Sequence, residues 1–196
     1  MNFLMTRIFA EAGVSEEGLE KIASIIRTRS LEQGEYLFRQ GDTAPNLYLI
    51  RNGLAKMSYI TSDGKEFVKS FLPEGSFAGS LIAQMENCET TFSIVCLEPV
   101  EVEIVPFRAV QKLFERDPAA LDFGFRFFQA LALKKEKREY SFLCLAPEER
   151  YQWFLKENPT LADRVTKADI ARYLGITPVA LSRIRRRMKE PVNSMT

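Results

Sequence analysis

The sequence predicts an α+β chain: an N-terminal antiparallel β jelly roll with flanking helices, one long helix, and a C-terminal all-α helix-turn-helix. Three observations predict it. Short alternating runs broken by turn residues fill positions 36–105, and an unbroken helical pattern follows Pro118. Thr166–Lys189, TKADIARYLGITPVALSRIRRRMK, then reads as two short helices around a tight turn.

In chain order, Glu16 to Arg29 has helical periodicity, with Leu19, Ile22, Ala23 and Ile26 on one face and Ser15 as N-cap. From Leu31 the pattern becomes strands. Tyr36–Arg39, Leu47–Ile50 and Ala55–Ile60 each run into a turn. Asp63-Gly64, between two alternating runs, marks a hairpin whose returning strand is Phe67–Leu72. Phe92–Leu97 and Val100–Val105 complete about seven short strands, the spacing of a sandwich or jelly roll.

Helical periodicity resumes at Phe107–Glu115. Asp117 is placed to cap the next helix and Pro118 to start it. That helix runs to about Cys144, a span of roughly 40 Å at 1.5 Å per residue. Leu121, Phe125, Phe128 and Ala132 follow 4-3-4 spacing, flanked by Phe123, Phe127 and Leu131. One side is expected to cover the sandwich and the other to pair with a second copy, giving a homodimer. Lys134–Glu139, KKEKRE, is expected to be a solvated stretch. A further helix, Glu148–Lys156, carries the only tryptophan, Trp153. The expected units are residues 1–116, 117–145 and 146–196.

In the C-terminal motif, Ile170, Ala171 and Leu174 give the first helix an apolar face, and Gly175 follows where a helix end tolerates positive φ. Thr177 caps the second helix and Pro178 opens it. Leu181, Ile184 and Met188 form one stripe, expected to pack on the first helix. Val179, Ser182, Arg183, Arg186 and Arg187 lie opposite, free for a major groove, and Thr166 and Thr177 join them as candidate contacts. The alternative is an amphipathic helix with a solvated basic face. Ala171 and Gly175, small residues where the helices would cross, favour the DNA reading.

Composition agrees. Residues 1–139 carry 17 Lys/Arg against 20 Asp/Glu, and residues 140–196 carry 10 against 6, so positive charge collects on the two-helix motif. At 46 % hydrophobic and 27 % charged residues, the chain falls among soluble globular proteins. No apolar run approaches the roughly 20 residues of a membrane span, and Met1–Ala10 lacks a signal-peptide layout. Cys88, Cys96 and Cys144 have no regular spacing, which fits a reducing cytoplasm. Histidine is absent, removing histidine-based catalysis, most zinc sites and histidine-ligated haem. No phosphate loop or nucleophile elbow appears. An enzyme is not expected, nor a metal or resident cofactor.

The order of elements, with EYLFRQGDTAPNLYLIRNGLAKM, PEGSFAGS and LGITPVALSRI, resembles the Crp–Fnr family of bacterial transcription regulators over residues 15–190. The resemblance implies a homodimer on a pseudo-palindromic double-stranded DNA site, with recognition helices about 34–36 Å apart, and RNA polymerase as a further partner. Cyclic-nucleotide-binding members use a glutamate in G-E-L for the ribose and an arginine in P-R-x-A for the phosphate. Here Gly79-Ser80-Leu81 carries serine, and Thr90 or Glu89 stands at the arginine's place. Losing that cation forfeits a charge-assisted bond of roughly 1.5–3 kcal/mol, so cyclic AMP is not expected. Ser80, Thr90, Thr91 and Phe128 are candidates to line a pocket for another, unidentified effector, against the plainer reading of turn and strand residues. An iron–sulfur sensor needs four cysteines, and three are present. Cys96 is expected in the core; Cys144 is a candidate redox switch, with plain packing as its alternative. Pro178 and Val179 depart from the family's usual base-reading residues, whereas Arg183 matches a base-contacting arginine. With seven residues after Lys189 in this sequence, the family's β-hairpin wing is not expected. A ligand-binding signalling module that does not act on DNA is the rival reading.

Overall fold

The computed structural model describes residues 3–189. Two helices, α1 (Leu4–Glu11) and α2 (Glu16–Ala23), precede the strands β1 (Arg27–Leu31), β2 (Tyr36–Phe38), β3 (Asn46–Asn52), β4 (Ala55–Ile60), β5 (Glu66–Leu72) and β6 (Phe77–Ala78). A short helix α3 (Leu81–Glu86) leads into β7 (Ser93–Cys96) and β8 (Val100–Pro106). The remainder is helical: α4 (Phe107–Arg116), α5 (Pro118–Cys144), α6 (Pro147–Glu157), α7 (Lys167–Leu174) and α8 (Pro178–Lys189). The strands form two four-stranded antiparallel sheets, β1-β8-β3-β6 and β2-β7-β4-β5. This is the jelly roll followed by helix-turn-helix that the sequence predicts.

Three apolar cores hold the chain together. Between the sheets lie Leu31, Phe38, Tyr48, Ile50, Met57, Phe92, Ile94 and Val102. Outside the β3–β8 pair, Phe9, Ile22, Val110 and Ala120 bring α1, α2, α4 and the start of α5 onto Leu49 and Val105. Outside β5, Val68 and Phe71 pack with Phe154, Ile170, Ala171, Leu174, Leu181 and Ile184 of α6–α8. The terminal helices are therefore seated on the roll's outer face.

The structure corrects several expectations. The first helical pattern ends at Ala23, because Arg27–Leu31 pairs along its whole length with β8. The sequence of that strand carries no alternation, because four of its five residues face solvent. Helix α1 was not expected either. Its first amides are held by the fully buried Glu103, whose carboxylate accepts from Leu4 N at 2.6 Å and Met5 N at 2.8 Å. A carboxylate at a helix N-terminus meets the positive end of the dipole. Met188 is 42 % exposed rather than packed on α7.

Asp117 does more than cap. It accepts from Ala119 N and Ala120 N of α5 and from Ser15 N and Oγ at the start of α2. The Ser15 hydroxyl and amide, with the two helix amides, hold its carboxyl down at about 2. A carboxyl lowered on folding adds stability above its unfolded value, 3.8, and that stability is lost as pH falls through the folded one. The unfolding midpoint is therefore expected to fall between about pH 4 and 2. Asp117→Asn should lower the midpoint at pH 7 and flatten that acid limb in a pH series of thermal melts.

Candidate nucleic-acid interface and effector cleft

The two helices of the C-terminal motif are set by local chemistry. Thr166 caps α7, accepting from Asp169 N at 3.0 Å. Gly175 ends that helix in the left-handed region, φ 69°, donating its amide to Ala171 O. Thr177 caps α8 by accepting from Ala180 N at 3.1 Å. A Cβ on Gly175 would also stand 2.9 Å from the Phe142 ring, so the turn is packed against the end of α5.

Helix α8 divides as its sequence predicts. Leu181 and Ile184 are buried, and Val179, Ser182, Arg183, Arg186 and Arg187 are exposed. Thr166 and Thr177 are exposed as well, each already serving as a cap. One detail lay beyond sequence reasoning: Arg187 pairs with Glu148 of α6. The partner lies 39 positions earlier, so spacing along α8 gives no sign of it.

The motif is tied to the roll by charge. Lys56 Nζ of β4 lies 2.6 Å from Asp169 Oδ1 and 2.9 Å from Glu66 Oε1, and Arg172 completes the square to Asp169 at 3.2 Å and Glu66 at 3.3 Å. The Lys56 and Asp169 side chains are only 9 % and 6 % exposed. Burial raises the Asp169 carboxyl, but the bonds from Lys56 and Thr166 and the charge of Arg172 outweigh it, leaving it below its ordinary value. A second tie joins Arg164 to Glu74, with bonds of 2.9 and 3.0 Å, and to Glu98. Arg164 holds the Glu74 carboxyl at about 2.

Arg138 of α5 is the third connection. Its Nη2 donates to Val68 O of β5 at 3.0 Å and Tyr173 O of α7 at 3.1 Å. The guanidinium lies 4.0 Å from the Tyr173 ring centre, and Nη1 is buried without a hydrogen-bond partner.

Two clefts adjoin these ties. One of about 850 Å³ opens between the β4–β5 hairpin and the α7–α8 turn, bounded by Tyr36, Lys56, Ser58, Lys65, Arg172 and Thr177. The other, about 670 Å³, lies between β5 and α5, with Tyr59, Phe67, Lys69, Phe127, Lys134 and Arg138 among its walls. The candidate effector residues line neither. Ser80 is fully buried and caps α3 through Ala83 N; Thr90 is buried and donates to Arg39 O at 2.8 Å; Thr91 is exposed; Phe128 meets Phe127 edge-on at the helix surface. The hydroxyls of Ser80 and Thr90 are thus engaged by nearby backbone groups. The Lys134–Glu139 stretch is exposed at every residue but Arg138, as expected, and Lys134, Lys135, Arg138 and Glu139 border the second cleft. Cys96 is in the core, where burial pushes its thiol up to about 11, while Cys88 and Cys144 are exposed.

Comparison with known proteins places this arrangement. Residues 28–117 match the cyclic nucleotide-binding domain family. The chain is 32 % identical over 145 residues to the anaerobic regulatory protein of Bacillus subtilis, covering 74 % of this chain and 60 % of that relative. It is 27 % identical over 188 residues to the transcriptional activator protein anr of Pseudomonas aeruginosa, covering 89 % and 75 % of the two. Among solved structures, FixK2 from Bradyrhizobium japonicum aligns with a TM-score of 0.73 at 17 % identity, over 84 % of each chain. The chain is similar to transcription regulators of the Crp–Fnr family. The cations that line the second cleft stand on β5, α5 and α7.

Breaking the buried square is expected to be costly. Asp169→Ala should lower stability by about 3 kcal/mol in denaturant titrations, because Lys56 loses its closest partner while buried. Combining Asp169→Leu with Lys56→Met should recover most of that loss.

Proposed function

We propose that two copies of the chain pair along α5 and present their α8 helices to successive major grooves of a pseudo-palindromic operator. The single observation that carries the reading is the partition of α8. Its buried stripe seats it on α7, and the opposite stripe, Val179, Ser182, Arg183 and Arg186, faces solvent. Residues 1–116 then serve as sensor, 117–145 as dimerisation helix and 146–196 as DNA-binding head. Arg183 reads a guanine edge; Arg186 and Arg187 contact phosphates.

Pairing through α5 is supported by its exposed stripe. Leu121, Phe125 and Phe128 are 56 %, 61 % and 39 % exposed, and Ala132 continues the same line. Phe123 and Phe127 on the neighbouring side already pack on Phe77 of the roll. A helix with two apolar stripes needs two partners, and the roll supplies one. Among the described residues no helix is long and apolar enough to cross a membrane. The reading places the regulator in the cytoplasm, with RNA polymerase as its downstream partner and a small effector as its input.

Arg183→Ala should weaken binding to an operator selected from random DNA by roughly 1–3 kcal/mol. In a gel-shift titration, equal affinity for variant and wild type would remove Arg183 from base reading. Phe125→Glu, by burying a charge in the paired stripe, should give a monomeric mass in light scattering at micromolar concentration and should abolish operator binding. A dimeric Phe125→Glu variant would move the interface elsewhere.

A further inference from the structure

Phe142, near the end of α5, carries two guanidinium groups on its ring. Arg138 of α5 lies 4.8 Å from the ring centre, and Arg150 of α6 lies 5.1 Å from it. Flat, delocalised cations stack on aromatic rings in this way and keep their N–H edges for acceptors. Here acceptors are missing. Among the described residues two buried side-chain polar atoms lack a hydrogen-bond partner, and they are Arg138 Nη1 and Arg150 Nε. Native structures satisfy most such atoms, so two of them beside one ring call for a cause.

Both arginines line one small cleft, about 320 Å³, enclosed by α5, α6 and α7. Its walls come from residues 130–174 alone, so the strands of the roll take no part. Lys134 and Lys137 add two further cations, against Glu157 as the one carboxylate in the lining. Among the described residues none of the four cations forms an ion pair with a carboxylate. Arg138 uses Nη2 to hold Val68 O and Tyr173 O, whereas the side chain of Arg150 makes no hydrogen bond among the described residues. Partial loss of water, and then the charge of Arg138, lower Lys134 below its ordinary value. Gathering like charges without a counter-charge is unfavourable. The missing component is an anion.

We infer that this helix-junction cleft binds a phosphate group, free or carried on a small ester, bridged by Arg138 of α5 and Arg150 of α6, with Lys134 and Lys137 beside it. A guanidinium fork matches two oxygens of a phosphate, and the dianion supplies the counter-charge that four cations and one carboxylate lack. The volume lies at the small end for a small-molecule site, which suits a compact ligand. On α5 these cations stand roughly opposite the stripe proposed for pairing, counted at 100° per residue, so pairing there leaves them open. Pro147 starts α6 between the two arginines in the chain, so a bound phosphate ties the long helix to the helix beyond its break. The angle between α5 and the C-terminal helices is then held by the ligand. That consequence rests on the regulator reading; the site itself rests on charge and geometry.

Trp153, the only tryptophan, borders the cleft and reports on it. The full chain is titrated with inorganic phosphate and with phenyl phosphate, ionic strength being held constant with sodium chloride. Trp153 emission and the thermal midpoint should both change saturably at millimolar concentration or below. The tighter probe tells whether the free ion or an ester is the ligand. Arg150→Gln should weaken binding roughly tenfold or more, as loss of a charge-assisted bond requires. Lys137→Gln, at an exposed position, should weaken it severalfold and leaves the fold untouched. Lys69→Met alters the cleft between β5 and α5 instead, and should leave phosphate affinity within about twofold. No saturable change with either probe, unchanged affinity in Arg150→Gln or Lys137→Gln, or an equal loss in Lys69→Met would overturn the inference. Operator binding in the Arg183 experiment is independent of these titrations, so failure of the site and failure of the regulator reading are separately visible.

Discussion

The bond between Lys56 and Asp169 sets the relation on which the rest of the structure depends. It joins the start of strand β4 to the first helix of the C-terminal motif, 113 positions apart, with both side chains almost wholly out of water. Two ionic groups are tolerated there because Glu66 and Arg172 close an alternating square, and each charge has an opposite neighbour. Arg164 with Glu74 and Glu98 repeats the device at the edge of the same contact. Apolar packing of Phe71 against Phe154 and Tyr173 would allow α7 to slide. The directional charges fix its register, and with it the line along which α8 presents its arginines.

Helix α5 connects the three functions proposed for this chain. Near its start Asp117 locks it to α2. Along its length one stripe packs on the roll, a second is bare, and a third carries Lys134, Lys137 and Arg138. Near its end Phe142 closes on Gly175 and Arg138 reaches Tyr173. A rigid rod touching input, partner and output needs no long chain of intermediaries to couple them. Small adjustments of such a helix are felt by all three neighbours, because packed interfaces do not deform continuously.

The solvent-facing residues of α8 proposed to meet DNA were legible because their pattern is local. A capping threonine, a proline at the first helical position, a glycine at the preceding helix end and a 3.6-residue apolar period all lie within 24 positions. Strands bounded by Asn-Gly and Asp-Gly were legible for the same reason. By contrast, β1 exposes four of its five residues and carries no alternation, so only its pairing with β8 makes it a strand. The effector candidates suffered from the same limit. Ser80 and Thr90 were selected by correspondence to family positions, yet their hydroxyls are consumed by Ala83 N and Arg39 O.

By itself the sequence determined the element types, the jelly roll followed by a helix-turn-helix, the two-faced recognition helix and the loss of the charged nucleotide-binding positions. Each of these follows from neighbours within a few residues, where helix and strand periods and cap chemistry act. Only the tertiary structure decided that the helix-turn-helix is clamped to β4 and β5, that Arg187 is shared with Glu148, and that Lys69, Lys134 and Arg138 converge on one cleft. Those outcomes rest on charges brought together from distant parts of the chain, and their partners are chosen by packing and burial rather than by spacing.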